Sequence, residues 1–261
     1  SYPRFCVNNA WPDGGDPAPL ARAFSRAAVP SYPDLPTGVG FCFFVRRAML
    51  DAIGGFDPAF GAGYGEENDL CMRAAAAGWR NVLADDALVL HVGGRSFEKQ
   101  KDALVPKNTE TLAARHPGYL ALVRDYVAAD PLAPLRDAAT LALDAASSAG
   151  VLHVLHHQGG GTETHVRALV AATRGRCRHA IAVAVGDRWR VEAHRPDAGT
   201  IAFEISRLPD EPWSDFLGGL CATLGVGLVH VHNVSACRAG LLTALPALGL
   251  PFGYTVHDVN A

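Results

Sequence analysis

From residue 150 onward, short apolar runs alternate with helical stretches and brief turns, and this alternation limits the possible folds more than any other feature of the chain. Residues 151–156, 180–185, 200–205, 228–232 and 252–256 read as strands. Residues 162–173, 213–224 and 238–248 read as helices. Parallel neighbours in a sheet need crossover connections, and helices between strands supply them. The pattern predicts an α/β fold with a parallel, doubly wound sheet.

The first half reads differently. Residues 1–36 are rich in Pro, Gly and Asp, with a helical pattern at 20–28. A continuous apolar run at 39–45 suits a buried strand, and 46–53 a short helix closed by Gly54 and Gly55. A second helix is expected at 68–77 with Gly78 as its stop, followed by short strands at 81–84 and 87–92. From 102 to 148 the character is helical, with breaks at His116-Pro117-Gly118 and at 130–134. The alanine-rich end of this stretch is the candidate linker. Three parts are expected: 1–130, a helical linker at 131–150, and 151–261. The chain starts without Met and stops just beyond an apolar run, so it is expected to be a piece of a longer protein.

Composition narrows the function. With 261 residues, 49% hydrophobic, the chain can bury a sizeable core. A net charge of −3 with scattered Lys and Arg gives no basic stripe, which argues against nucleic acid. No apolar run reaches the roughly 18 residues of a membrane span, and the N-terminus lacks a signal-peptide pattern. A cytoplasmic location is expected, with peripheral association at the inner face of the membrane compatible with it. The six cysteines are far apart, with no C-x-x-C pair, and read as buried free thiols rather than a disulfide or zinc framework.

Two constellations carry chemistry. The first is Glu66-Glu67-Asn68-Asp69, entered from the glycine-aromatic loop Gly61-Ala62-Gly63-Tyr64-Gly65. Three carboxylates at the mouth of a helix repel one another while the helix N-terminus stabilises the anions, which can poise one of them as a base. Helix capping alone is the competing explanation.

Taken with Pro36-Thr37-Gly38-Val39-Gly40, Gly54-Gly55-Phe56-Asp57, Ala77-Gly78-Trp79, Leu90-His91 and Ser96-Phe97, the acidic motif closely resembles family 2 inverting glycosyltransferases of the GT-A fold, over about residues 1–130. The resemblance implies a nucleotide-sugar donor and a saccharide or lipid-linked saccharide acceptor, as in polysaccharide or O-antigen-type biosynthesis. It implies Glu67 as the base that deprotonates the acceptor hydroxyl, with Glu66 and Asp69 in support, and Thr37, Gly38, Tyr64 and Gly65 around the substrate. It also implies a divalent metal, Mn²⁺ or Mg²⁺, with His91 as a candidate ligand; a structural histidine at a strand end is the alternative. The family's Asp-x-Asp motif and nucleotide-binding sheet would lie upstream of Ser1, so this chain alone is expected to be inactive.

The second constellation is Gly159-Gly160-Gly161-Thr162-Glu163-Thr164-His165, a glycine triplet between a strand and a helix, where backbone N–H groups can approach an anion. It lacks the dinucleotide fingerprint, which argues against an oxidoreductase. His156, His157, His232 and His257 fall at the C-terminal ends of the expected strands, the edge where open α/β sheets bind ligands. With Val229-His230-Val231-His232-Asn233 and Tyr254-Thr255-Val256-His257-Asp258, this set looks like the N-terminal, Rossmann-like half of family 4 glycosyltransferases of the GT-B fold, over about 150–261. That resemblance implies that Gly159, Gly160, Gly161, Thr162, His232 and His257 line the substrate cleft. Zinc binding by the histidines is a rival reading, for which the sequence offers no carboxylate or cysteine to complete a set. For the chain as a whole, a non-catalytic acceptor-binding or scaffolding module is the alternative to an enzyme.

Overall fold

The computed structural model describes residues 1–7, 9, 15–27, 31–61, 63–91, 98–147, 149–173, 175–196, 199–233 and 240–257. They form two compact units, residues 1–139 and 140–261.

The first unit is helical. It contains α1 (Ala18–Ala27), α2 (Arg47–Ile53), α3 (Glu66–Ala76), α4 (Glu98–Arg115), α5 (Tyr119–Ala129) and the start of α6 (Ala133–Ser147). Gly54 ends α2 with φ 82°, and its N–H donates to Leu50 O. The α4–α5 break falls at His116-Pro117-Gly118, as expected, with Gly118 at φ 96°. Met49, Leu70 and Ala74 form one apolar cluster between α2 and α3, with Phe43, Val45 and Trp79 packed against it. Phe60, Leu112 and Tyr119 form another where α4 and α5 meet the acidic loop.

The buried strand expected at 39–45 is not there. Phe43 and Val45 turn in toward α2 and α3, but Val39, Phe41 and Phe44 face solvent, Phe44 at 96% exposure. The expected strands at 81–84 and 87–92 reduce to a single bridge, Asp34 to Val82, with 87–91 irregular and Val92 outside the described residues. The reason is common to all three. An extended segment satisfies its N–H and C=O groups only through a neighbouring ladder, and among the described residues of this unit that bridge is the only such pairing. Cys71 and Cys221 are buried free thiols, as read; Cys6 and Cys42 lie exposed on irregular segments, and Cys237 is outside the described residues.

The second unit is built on β1 (Gly150–His156), α7 (Gly161–Thr173), β2 (Arg178–Val185), β3 (Arg188–His194), β4 (Thr200–Ser206), α8 (Trp213–Leu224), β5 (Val226–Asn233), α9 (Gly240–Ala244) with a 3-10 turn Leu245–Leu248, and β6 (Phe252–Tyr254). The sheet order is β4-β3-β2-β1-β5-β6. Strands β2, β1, β5 and β6 pair in parallel, as the alternation predicted, whereas β3 and β4 add an antiparallel hairpin. The sheet is therefore mixed rather than wholly parallel. The cause is local: Gly186-Asp187 is a two-residue turn with Gly186 at φ 66°, which returns β3 alongside β2 with Val185 opposite Arg188.

Helices cover both faces. Leu152, Val154, Ala182, Trp189, Val191, Val229 and Val231 pack under α8, α9 and Leu141 of α6. Leu155, Ile181 and Val183 pack under Val166 and Val170 of α7.

Candidate functional site

In the first unit the loop 61–65 delivers the chain into α3 through Tyr64 at φ 69° and Gly65 at φ 127°. A side chain on Gly65 would sit 3.2 Å from the Phe60 ring, and the left-handed backbone there also calls for glycine. The loop is pinned by a residue the sequence did not flag. Asn108 of α4 is buried, and its amide donates to Phe60 O at 2.9 Å and Gly63 O at 2.8 Å.

Three carboxylates lie in the first turn of α3, where the helix dipole favours them. Their surroundings differ. Glu67 Oε2 accepts from Gly65 N–H at 3.4 Å, a long contact, and the half-buried carboxylate also shares a side-chain hydrogen bond with Glu66. Glu66 has Oε2 buried with no hydrogen-bond partner among the described residues. Burial pushes its carboxyl up, and the negative charge of Glu67 adds to the shift.

Asp69 is turned inward. Arg73 Nε donates to its Oδ2 at 2.7 Å, His116 Nε2 meets Oδ1 at 2.9 Å, and Arg115 lies 3.7 Å from Oδ1. Burial would raise this carboxyl, but the hydrogen bonds from His116 and Arg73 outweigh it and the net shift is downward. Arg73 goes on to donate to Ile53 O at 2.8 Å and Gly55 O at 2.7 Å. Asp69, read from sequence as support for the base, is thus an anchor tying α3 to the end of α2 and to His116. It has no oxygen left to face a substrate.

The segment 37–41 runs beside Glu67. The Thr37 side chain hydrogen-bonds Tyr119, whose hydroxyl is pushed up by burial, with the charges of Glu67 and Cys71 adding. Gly38 N–H donates to Cys71 Sγ at 3.2 Å, and a side chain on Gly38 would come within 2.5 Å of Phe43. A side chain on Gly40 would stand 3.9 Å from the Glu67 carboxyl carbon. Next along, Phe41 stacks on His91 with ring centroids 4.4 Å apart and planes 12° apart. Gly40 is therefore next to Glu67, Gly38 is tied to Cys71 one turn further along α3, and Tyr119, which the sequence did not single out, links Thr37 to the charge of Glu67.

In the second unit Gly159 and Gly160 adopt φ 67° and 78°, and Gly161 opens α7. Thr162 is buried behind this turn. Glu163 is held by Arg167 at 2.8 Å, and Arg167 also grips Glu192 of β3 at 3.0 and 3.2 Å. His232 and His257 come together at the sheet edge, His232 Nδ1 lying 3.3 Å from His257 Nε2. The structure adds His165 of α7, whose ring centroid is 5.2 Å from that of His257, and His153, His179 and His230 on the same sheet face. The signal for His230 was present, since His230 and His232 alternate in Val-His-Val-His and must share a face.

Among the described residues, two groups of His, Cys or carboxylate side chains bring three ligand atoms within 4.8 Å of one another. They are His153, His230, His232 and His165, His232, His257. His91 belongs to neither.

Chemically, the first site can take a proton at a helix N-terminus lined by glycine backbone, and the second can hold an anion or a metal at a sheet edge. Residues 21–105 match the family described as Glycosyltransferase like family 2. The matched stretch runs from α1 through the acidic turn to the middle of α4, roughly a third of the chain, and is similar to a glycosyltransferase domain. It ends before the second unit, so the family 4 resemblance has no counterpart here. Comparison with curated proteins and with solved structures gives no match. No helix among the described residues is long and apolar enough to cross a membrane.

Proposed function

We propose that the first unit is the acceptor side of an inverting, nucleotide-sugar-dependent glycosyltransferase, with Glu67 as general base. The observation that carries this reading is the position of Glu67. It stands at a helix N-terminus beside Gly40, close enough for its charge to act on Tyr119, inside the stretch that resembles the family. In the proposed step the acceptor hydroxyl gives its proton to the Glu67 carboxylate, and its oxygen bonds to the anomeric carbon of the donor sugar. The bond from that carbon to the nucleoside diphosphate breaks, and the electron pair leaves with the diphosphate. Glu66, with its raised proton affinity, shares the turn, and Tyr64 and Gly65 shape the approach. The acceptor is a saccharide or lipid-linked saccharide of a surface-polysaccharide type, met in the cytoplasm or at the inner membrane face.

Glycosyltransferases of this family often use a divalent metal. His91 has no second and third donor gathered around it among the described residues, so no step is routed through a metal. For the second unit, one observation favours the family 4 reading. Its glycine turn lies between β1 and α7 at the C-terminal edge of the parallel strands, where a diphosphate or acceptor would sit.

The test is sugar transfer from UDP- and dTDP-sugars, with and without Glu67→Gln, by a protein that carries this chain together with the donor-binding part that the family resemblance implies. A loss of about 10²–10⁴-fold in turnover with unchanged folding is expected for removal of a general base. Undiminished turnover in that variant removes Glu67 from the mechanism. Saccharide binding without any transfer would favour the scaffolding alternative.

A further inference from the structure

Six histidines converge on the sheet face beneath α7, and five side chains form one hydrogen-bonded line across it. Thr173 Oγ1 donates to Leu169 O at 2.6 Å, which commits its only proton. The His179 Nε2 found 2.9 Å from that oxygen must then be the donor. His179 Nδ1 is left to accept from His153 Nε2 at 3.1 Å, and His153 Nδ1 to accept from His232 Nε2 at 3.0 Å. The line therefore delivers His232 with its Nδ1 lone pair aimed outward, toward His257 Nε2.

A second feature aims the same ring. Val154 pairs with Val231 but Leu155 pairs with Asn233, so β5 carries a bulge at His232. Bulges redirect a side chain and are common beside functional sites. At the outer end, the exposed His165 ring has no hydrogen-bond partner among the described residues and faces both His232 and His257.

We propose that His165, His232 and His257 bind one borderline divalent transition metal of the zinc type, with a fourth position open to water. Two ligands on a tetrahedral ion at about 2.0–2.1 Å are about 3.3 Å apart, the separation seen between His232 Nδ1 and His257 Nε2. One buried, one half-buried and one exposed ligand give a closed back and an open front, the layout of a site that keeps a free coordination position. His153 and His179 are the outer partners that fix the tautomer of a ligating histidine. Three neutral imidazoles favour zinc, copper or nickel over the oxygen-seeking Mn²⁺ and Mg²⁺. The other trio is a poorer host: both nitrogens of His153 are already engaged, and His230 Nε2 meets Thr255 Oγ1 at 2.8 Å. The inference is independent of the glycosyl-transfer reading.

Cobalt titration of the 261-residue chain, carrying no histidine tag, tests it. One equivalent of Co²⁺ should bind with the intense visible band of tetrahedral cobalt, be displaced by Zn²⁺, and be unaffected by excess Mg²⁺. His165→Gln, a change on the exposed face of α7, and His257→Gln should each weaken binding by more than the roughly 10–100-fold that an outer-partner change costs, with circular dichroism unchanged. His230→Gln should keep the site. The assignment is overturned if the chain takes up no cobalt, if His165→Gln and His257→Gln bind like wild type, or if binding follows His153 and His230 and not His165.

Discussion

Glu67 and Asp69 stand two residues apart on one helical turn, and their partners give them opposite work. Glu67 keeps a loosely held oxygen beside the glycine segment, whereas Asp69 is spent on Arg73, His116 and Arg115. Asp69→Asn should cost about 2–4 kcal/mol, because breaking a buried pair strands its partners, although half-exposed Arg73 softens the loss. Urea unfolding measures it, and Glu67→Gln should leave that same curve unchanged. The acid limb follows from the sign of the shift. The folded carboxyl titrates below its ordinary 3.8, so its contribution is full above that value and is lost as pH falls through the lower, folded one. Asp69→Asn should flatten this limb. The acidic turn was legible as a motif, and the Asp69–Arg73 pair is an ordinary i,i+4 spacing. His116 and Asn108 were not legible, because their partners lie 47 and 45–48 residues away and depend on how α4 folds back.

Helices were read well from sequence and strands unevenly. Apolar periodicity places α8 at Trp213–Leu224, as expected, and α3 starts two residues early because Gly65 supplies the turn and the carboxylates suit the first positions. Strand β3 was not among the expected strands: Arg188–His194 alternates polar and apolar residues strictly, but its four polar members, two arginines, a glutamate and a histidine, leave no apolar run to mark it. The run at 39–45 erred the other way, since apolar content alone does not provide a neighbouring strand. Joints between elements are where single residues decide. Gly225 turns α8 into β5 at φ 60°, and a side chain there would lie 2.4 Å from the Ala145 Cα of α6. Gly225→Ala should cost about 2–4 kcal/mol, from left-handed strain plus overpacking. Gly249→Ala has the same backbone demand at φ 65° but open space around it, and should cost only about 1–2 kcal/mol. Paired denaturant titrations separate the two terms.

At the scale of the molecule, residue 150 marks where the sequence pattern changes, yet the structural division falls earlier, inside α6. Leu141 already belongs to the core under the sheet, and the periodicity of an alanine-rich helix cannot reveal which neighbour it serves. The antiparallel hairpin that makes the sheet mixed also leads us to expect an order of folding. Strands β2, β3 and β4 follow one another with a two-residue turn and then a short one closed by Arg195 N–H to Gly199 O. Hairpins of this kind form in about 1–10 μs. Strands β1, β5 and β6 join only after the longer chain segments through α7, α8 and α9 have closed, which is slower. Pulsed hydrogen exchange during refolding should find amides of β2–β4 protected before those of β5. The segment that departs from the parallel pattern would then be the seed on which the parallel strands are laid. The corner where His232 of β5 meets His257 would be completed last, so any ion held there can fasten the unit only after β5 and β6 have joined.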